Sequence, residues 1–473
     1  MISFDSVSLK AFLEENKAFL SGARIQKIQQ PTRREFIFTL RCNADTKKLY
    51  INIEPQFYHI CFISKENEQK RLIEIPKKPP MFCMLLRKYL ENSRITKVVQ
   101  PEFERILEFY IETCNELSEK IYLCLAIELM GKHSNVILYN YDTNLILGSA
   151  HNVGAEKSRE REIRGGVPYV YPPKKSYEWY VSENSFANQN DDRLINERID
   201  DYFAQKIGQD KFSKLKTKYL NKVQKQAEKV NNSISKINSR IIPVADADKY
   251  RHFGDLIMAN LYNNKDYSEE IDVYDYNQNK NITITLSPLK TLKENANEFY
   301  KLYTKSKNSI KKSNELLEKL NAQKDYFAQL LYSIEISESI EDLNSIEFEI
   351  EPDRTSKKQE KSTLSPLEIS GDDYIIFIGK NNRQNDYIVS KLAKDEDLWF
   401  HTHNVAGSHV LLKAKAPDDE LILKCAELAK KYSSASTSSK VGVIYTKAKY
   451  LKKPPKANLG YVTYFNEHEI IID

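Results

Sequence analysis

Two long, regularly spaced apolar series in the middle of this chain constrain its fold more than any other feature. From 209 to 240, Phe212, Leu215, Tyr219, Val223, Ala227, Val230, Ile234 and Ile237 step by three or four. That spacing lays one apolar stripe along a helix and predicts a coiled-coil seam. A second series runs from 290 to 334, with Phe299, Leu302, Ile310, Leu317, Leu320, Phe327, Leu331 and Ile334 available to a seam. Residues 241–295 break the pattern and include the strand-like Ile282-Thr283-Ile284-Thr285-Leu286. Two long helices around a small insert predict an antiparallel hairpin arm over 209–345.

The arm is also electrically one-sided. Between Lys211 and Arg240 eight lysines and one arginine face the single acid Glu228. Between Lys301 and Lys324 seven lysines face Glu315 and Glu318. Opposite charges four residues apart stabilise a helix and like charges destabilise it, so a solvated coiled coil interleaves both signs. Phosphates relieve the self-repulsion of a basic helix. An RNA-facing arm is therefore expected, with Lys214, Lys218, Lys222 and Lys225 as rRNA contacts. The bland alternative is a soluble basic helix.

On either side of the arm the patterns change. Residues 1–173 read as a mixed domain: a helix over Val7–Leu20, strands at 35–40, 49–53, 106–111, 121–127 and 136–139, and a helix from Met81 to Leu90 led in by Pro76–Pro80. Residues 174–208 are a polar segment ending in a short helix near 194–203, and 346–365 read as a charged linker. Residues 366–473 form an α/β domain, with strands at 374–378 and 441–445 and a helix at 418–432. The fold class is α+β and multidomain, and no internal repeat is evident. Six cysteines, none in a CxxC pair, fit a reducing compartment rather than a disulfide or zinc framework. No basic leader precedes an apolar segment, and no apolar run reaches the ~18 residues of a membrane span. A cytoplasmic protein without membrane contact is expected.

The most unusual local composition is near the end: Gly379-Lys380-Asn381-Asn382-Arg383-Gln384-Asn385-Asp386, Asp397-Leu398-Trp399-Phe400-His401-Thr402-His403, and Gly407-Ser408-His409-Val410. Such polar residue types are mostly exposed, so a surface shaped to grip a polar partner is expected. Asn381, Asn382, Arg383, Gln384, Asn385, His401, His403, Ser408, His409, Lys452 and Lys453 are assigned to RNA binding, with Lys447, Lys449 and Lys456 extending the basic rim. Trp399 is expected in the core. The histidine spacing matches no strong zinc pattern, and no metal or other cofactor is expected. No nucleophile–base pair or phosphate loop is visible, so catalytic residues are not assigned.

This stretch, with Tyr445-Thr446-Lys447, Lys452-Lys453-Pro454 and Gly460–Tyr464, resembles the C-terminal domain of the NFACT family. Lys77–Leu90, Glu104-Arg105-Ile106-Leu107, Glu128–Asn135 and Arg164-Gly165-Gly166 resemble the family's N-terminal domain in the same order. The resemblance implies a factor that binds obstructed large ribosomal subunits carrying peptidyl-tRNA. It also implies recruitment of aminoacyl-tRNA, alanyl-tRNA in particular, for mRNA-independent tailing of the stalled chain. Peptide transfer would remain ribosomal, so the protein itself is not expected to be an enzyme. A small RNA-binding protein of the same pathway is a further partner. In the family an Asp-Arg pair at the Glu104-Arg105 position, with an early Asp matching Asp5, contacts incoming tRNA. Arg87, Lys132 and His133 are added to that set. A carboxylate can accept from a base amino group, and arginine can grip a phosphate or base edge.

Two departures stand out. Glu104 replaces the family's Asp, and the helix-hairpin-helix module expected between Pro173 and Phe212 has no room. Both favour a rival reading, a structured-RNA binder without tailing. An adhesin, after the fibronectin-binding names some members have carried, is opposed by the lack of a leader. A DNA glycosylase acting through an N-terminal proline is opposed by Ile2.

Overall fold

The computed structural model describes every residue except 1, 115–118, 155, 157–159, 175–177, 180, 181, 183, 189, 190, 241–243, 263, 352–364 and 456. It divides into two compact units, residues 1–213 and 214–473.

The first unit is built around a nine-stranded sheet in which every pairing is antiparallel. Helix α1 (Ser6–Leu20) leads into β1 (Arg24–Gln29), β2 (Glu35–Cys42), β3 (Asp45–Asn52) and β4 (His59–Phe62). After the short α2 (Lys65–Lys70), α3 (Met81–Leu90) leads into β5 (Arg94–Val99), β6 (Ile106–Cys114), β7 (Lys120–Glu128), β8 (Asn135–Asn140) and β9 (Ile146–Ser149). The strand order, β4-β3-β2-β1-β5-β6-β7-β8-β9, is two meanders joined back to back. The joint is the register pair Arg24–Arg94.

The expectation of no internal repeat therefore needs correction. Each half is a helix followed by a meander, and its first strand carries a register shift at the same place, Ile25/Lys27 and Ile95/Lys97. Arg24-Ile25-Gln26-Lys27-Ile28 and Arg94-Ile95-Thr96-Lys97-Val98 are equivalent stretches. The repeat escapes a reading of the sequence because only inward positions are held to a residue type, while outward ones vary freely. Ile25, Phe38, Leu40, Leu49 and Ile51 of the first half share one core space with Ile95, Phe109, Ile111, Leu125 and Ile127 of the second.

The helix over 6–20 is capped by Asp5, whose carboxylate accepts from the backbone N of Ser8 at 2.9 Å. The short helix near 194–203 and the long one from 209 are a single helix, α4 (Ile195–Asn238). Gly208 lies inside it because the helix presses on the α2 end, where any Cβ would sit 2.7 Å from the Lys70 carbonyl oxygen. That close approach offsets the helix-propensity cost of glycine, about 1 kcal/mol.

In the second unit the seam expected on α4 is present. Tyr219, Val223 and Val230 are buried, and Leu215, Ala227, Ile234 and Ile237 are half-buried between exposed neighbours. α6 (Leu292–Glu335) begins with a capping box between Thr291 and Glu294. Its sheltered positions include Phe299, Tyr303, Ser306, Ile310 and Leu317, while Leu302 is exposed, so the stripe passes through Tyr303 in place of Leu302. The insert is a small subdomain. Helix α5 (Val244–Ala259) and the hairpin β10 (Glu270–Asp275) and β11 (Lys280–Thr285) bury Ile257, Ile271, Val273 and Ile284 against Leu292 and Ala296. α7 (Ile340–Ile350) occupies the start of the expected linker; most of the remainder lies outside the described residues.

The last domain is a six-stranded antiparallel sheet, β12-β13-β15-β14-β16-β17. Its strands are β12 (Leu367–Ser370), β13 (Tyr374–Ile378), β14 (Leu398–Thr402), β15 (Val410–Ala414), β16 (Val441–Lys447) and β17 (His468–Ile472). Helix α9 (Asp419–Lys431) packs Cys425, Ala426 and Ala429 on one face. The other face buries Trp399, Leu411 and Ile444 with Ile388, which follows α8 (Asn382–Tyr387), and with Val462 and Tyr464.

Candidate nucleic-acid interface

In the first unit, Glu104, Arg105, Lys132 and His133 line one cavity of about 640 Å³. Glu104 and Arg105 lie just before β6. Lys132 and His133 lie in a short helical turn between β7 and β8, and β6 pairs with β7 so that Ile106 faces Glu128. The antiparallel register thus joins residues nearly thirty positions apart. The Arg105 guanidinium lies over the Tyr58 ring and donates to its hydroxyl at 3.1 Å, which fixes its direction. Burial pushes the Glu104 carboxyl up, while Lys174 and Arg105 pull it back. Lys132 and His133 are exposed.

Further titratable side chains at this cavity escaped the sequence reading: Arg34, His151, Glu160 and Arg161. Arg34 is the repeat equivalent of Arg105. Its neighbour Glu35 faces Asn52 in the first meander as Ile106 faces Glu128 in the second. Recognition of the repeat would have found it. Arg34 pairs with Glu54 at 3.2 Å, both half-exposed. Arg161 makes a two-pronged pair with the fully buried Glu128, which also accepts from the Tyr169 hydroxyl at 3.0 Å. Burial, then Arg34, hold the His151 imidazole below its usual range and neutral near pH 7. A phosphate needs cationic donors, and Arg34, Arg105 and Lys132 supply them; neutral His151 and Glu104 can accept from base edges.

Two other residues assigned to tRNA lie elsewhere. Asp5 is 1% exposed, and it accepts from Ser8 Oγ, Ser182 N and Ser185 Oγ besides its capping bond. Its role here is structural. Arg87 donates to the Ile28 carbonyl at 2.8 Å and pairs with Glu91, tying α3 to β1.

The C-terminal assignments require a larger correction. Asn381, Asn382, Asn385, Ser408 and His409 are buried, not surface groups. Asn381 caps α8 and donates to Ser345 Oγ at 2.9 Å. Asn382 donates to Glu349 at 3.0 Å, and Asn385 accepts from the His409 backbone N at 3.0 Å. Gln384 accepts from Lys380 N and donates to the Ser365 carbonyl. Buried polar groups need partners, and the three buried asparagines find theirs in Ser345, Glu349 and the His409 backbone. Arg383 is half-buried. His403 is exposed and pairs with Glu469, while His401 stacks parallel to the buried Trp399, centroids 5.7 Å apart. Lys453 bonds Asp386, and Lys452 lies over the Phe465 ring. In the rim, Lys447 and Lys449 both pair with Glu396, and Lys456 lies outside the described residues.

The arm lysines also have internal roles. Lys218 and Lys222 share Glu351, at 2.8 and 3.4 Å, and hold its carboxyl below the usual range. Lys225 is exposed, and Lys214 is exposed but has contacts within the chain. Among the described residues no helix is long and apolar enough to cross a membrane.

Comparison with known proteins gives matches along the chain. The family model for NFACT N-terminal and middle domains matches residues 5–193 and 176–365, and that for the NFACT protein RNA binding domain matches 367–463. The Rqc2 homolog RqcH of Bacillus subtilis is 27% identical over 563 aligned positions, covering 100% of this chain and 98% of the relative. The Rqc2 homolog RqcH of Streptococcus pneumoniae is also 27% identical, over 98% of this chain and 96% of its own. The first alignment is longer than the chain, so that relative carries segments this one lacks. Among solved structures, the N-terminal part of the fibronectin/fibrinogen-binding protein from Streptococcus suis is 34% identical with a TM-score of 0.34, covering 37% of this chain and 62% of that one.

Proposed function

This chain belongs to the NFACT family, and from that premise we propose that it is a ribosome-associated quality-control factor. It binds obstructed large subunits that carry peptidyl-tRNA and recruits an aminoacyl-tRNA, alanyl-tRNA in the first instance, for mRNA-independent C-terminal tailing. The ribosome supplies the peptide-transfer chemistry. The observation that carries this reading is the first-unit cavity, where Glu104, Arg105, Lys132 and His133 are joined by Arg34 in one concave, cationic site. Its cations suit a phosphate backbone, and its acceptors suit base amino groups.

The test is sequencing of the RNA that copurifies with the tagged protein and with its Glu104→Ala/Arg105→Ala variant. Large-subunit rRNA plus one enriched tRNA, with only the tRNA lost in the variant, is the expected result. Absence of ribosomal RNA would overturn the proposal. A second reading, a large-subunit binder without tailing, is favoured by one observation: the relatives' additional segments have no counterpart here. Large-subunit rRNA without tRNA enrichment would select it.

A further inference from the structure

Another cavity, of about 380 Å³, opens in the second unit between α6 and the Trp399 face of the last sheet. Its wall differs in kind from the first. Tyr461 and Tyr464 contribute aromatic surface above the buried Trp399, and Asn404 and Asn458 contribute exposed carboxamides at the mouth. Among the described lining residues there is no lysine or arginine, and the one acid is the exposed Asp325. This wall offers a phosphate no lysine or arginine. It accepts a flat neutral group whose edge carries both donors and acceptors, because each carboxamide offers both.

The site is rigidly built. Gly460 holds a left-handed conformation, φ +74°, with its backbone against the Asn382 carbonyl, where a Cβ would lie 3.2 Å from the oxygen. Gln329 of α6 clasps the opposite rim, accepting from Gly407 N and donating to the Gly407 carbonyl, each at 2.8 Å. Two lining side chains are buried yet carry a polar atom without a partner among the described residues: Nε1 of Trp399 and Nδ1 of His409. Buried polar groups are usually satisfied, so these two mark a site whose hydrogen-bonding is completed from outside. Beside the mouth, Lys452 is exposed over the Phe465 ring, and the exposed Lys453 pairs with Asp386, which also accepts from Gly460 N at 3.3 Å.

We propose that this cavity receives one unpaired RNA nucleobase, stacked on Tyr461 and read by Asn404 and Asn458, with its phosphates held at Lys452 and Lys453. Sequence-specific RNA recognition characteristically takes splayed-out bases onto aromatic side chains. The proposal rests on the RNA-bound function above and names a ligand for the family's RNA-binding domain in this chain. The base can come from rRNA or from a tRNA.

The chain has two tryptophans. In the full-length Trp179→Phe protein, fluorescence therefore reports Trp399 alone. A single-stranded oligoribonucleotide is expected to quench it, and an abasic chain of equal length is not. Tyr461→Ala should weaken the quenching interaction about tenfold, and Tyr461→Phe, which keeps the ring, should restore it. Equal quenching by the abasic chain, indifference to Tyr461→Ala, or displacement of the oligonucleotide by an aromatic peptide would each overturn the proposal. Circular dichroism of each variant excludes misfolding as the cause. Cosedimentation with large subunits separates the two claims: retained cosedimentation without base-dependent quenching sinks the pocket alone, and lost wild-type cosedimentation sinks the ribosomal reading. Ultraviolet crosslinking on the bound subunit, followed by sequencing, assigns the base to rRNA or tRNA; absence of any crosslink to the Tyr461 peptide counts against the pocket.

Discussion

The two cavities are made of opposite materials. The first-unit cavity is walled by Arg34, Arg105, Arg161 and Lys132; the second-unit cavity is walled by aromatic rings and carboxamides. Charge–phosphate contacts respond to salt and ignore base identity, whereas stacking and edge contacts do the reverse. A protein that must hold varied RNA and still discriminate needs both kinds of site. The contrast also shows in how each wall is supported: by ion pairs in the first, and largely by carboxamide and backbone hydrogen bonds in the second, with Glu349 accepting from Asn382.

The largest effect should come from breaking an ionic support. Arg161→Ala leaves Glu128 fully buried with, among the described side chains, the Tyr169 hydroxyl as its remaining donor. Removing one partner of a buried pair costs about 3–5 kcal/mol. Denaturant unfolding should show that loss in the first unit, with Trp179 as its reporter. A change under about 1 kcal/mol would mean that the pair does not support the wall.

A smaller effect separates the cavities functionally. Arg34→Ala/Lys132→Ala should weaken RNA binding about ten- to a hundredfold and lower the slope of log K against log salt by roughly 1.5. Tyr461→Ala should weaken binding with its slope unchanged. Equal slopes in both variants would mean that the two cavities do not differ in how they hold RNA.

Acid should act on the second cavity's support. Burial holds His401 and His409 below the usual imidazole range, with His401 adding to the effect on His409. Their unfolded forms take up protons near pH 6.5 while the folded forms stay neutral. The stability they contribute is therefore fully present above that pH and is lost as pH falls below it, at up to about 1.4 kcal/mol per pH unit for each group. Thermal melts followed by Trp399 fluorescence between pH 7.5 and 5.5 should show the decline, and His409→Gln should flatten it. A wild-type curve flat over that interval would contradict the burial argument.

The sequence disclosed those elements whose periodicity is strong. The α4 seam, the helix at 81–90 and the strand at 374–378 stand where spacing placed them. Strands β1 and β5 were missed because each has one face exposed and a bulge that breaks the alternation. The charged cavity was half legible: Glu104, Arg105, Lys132 and His133 came from motifs, while Arg34 needed the repeat and Arg161 needed the loop that returns to Glu128. The Asn381–Asn385 cluster was misread for a specific reason. Polar composition signals exposure only when partners are absent, and Ser345, Glu349 and His409 are brought to it by tertiary contacts.

The smallest expected effect tests whether arm lysines are free for RNA. Lys218 and Lys222 converge on Glu351, so part of the basic excess read from the sequence is neutralised within the fold. The lysines are about half-exposed, and a pair of that kind contributes about 0.5 kcal/mol. Glu351→Gln should therefore lower stability by no more than that, while releasing two cations and strengthening RNA binding a few-fold at low salt. The gain should vanish at high salt, where screening acts within a few ångströms. If Glu351→Gln leaves low-salt binding unchanged while Lys225→Ala weakens it, the RNA-facing stripe of the arm excludes Lys218 and Lys222 and runs through Lys225 instead.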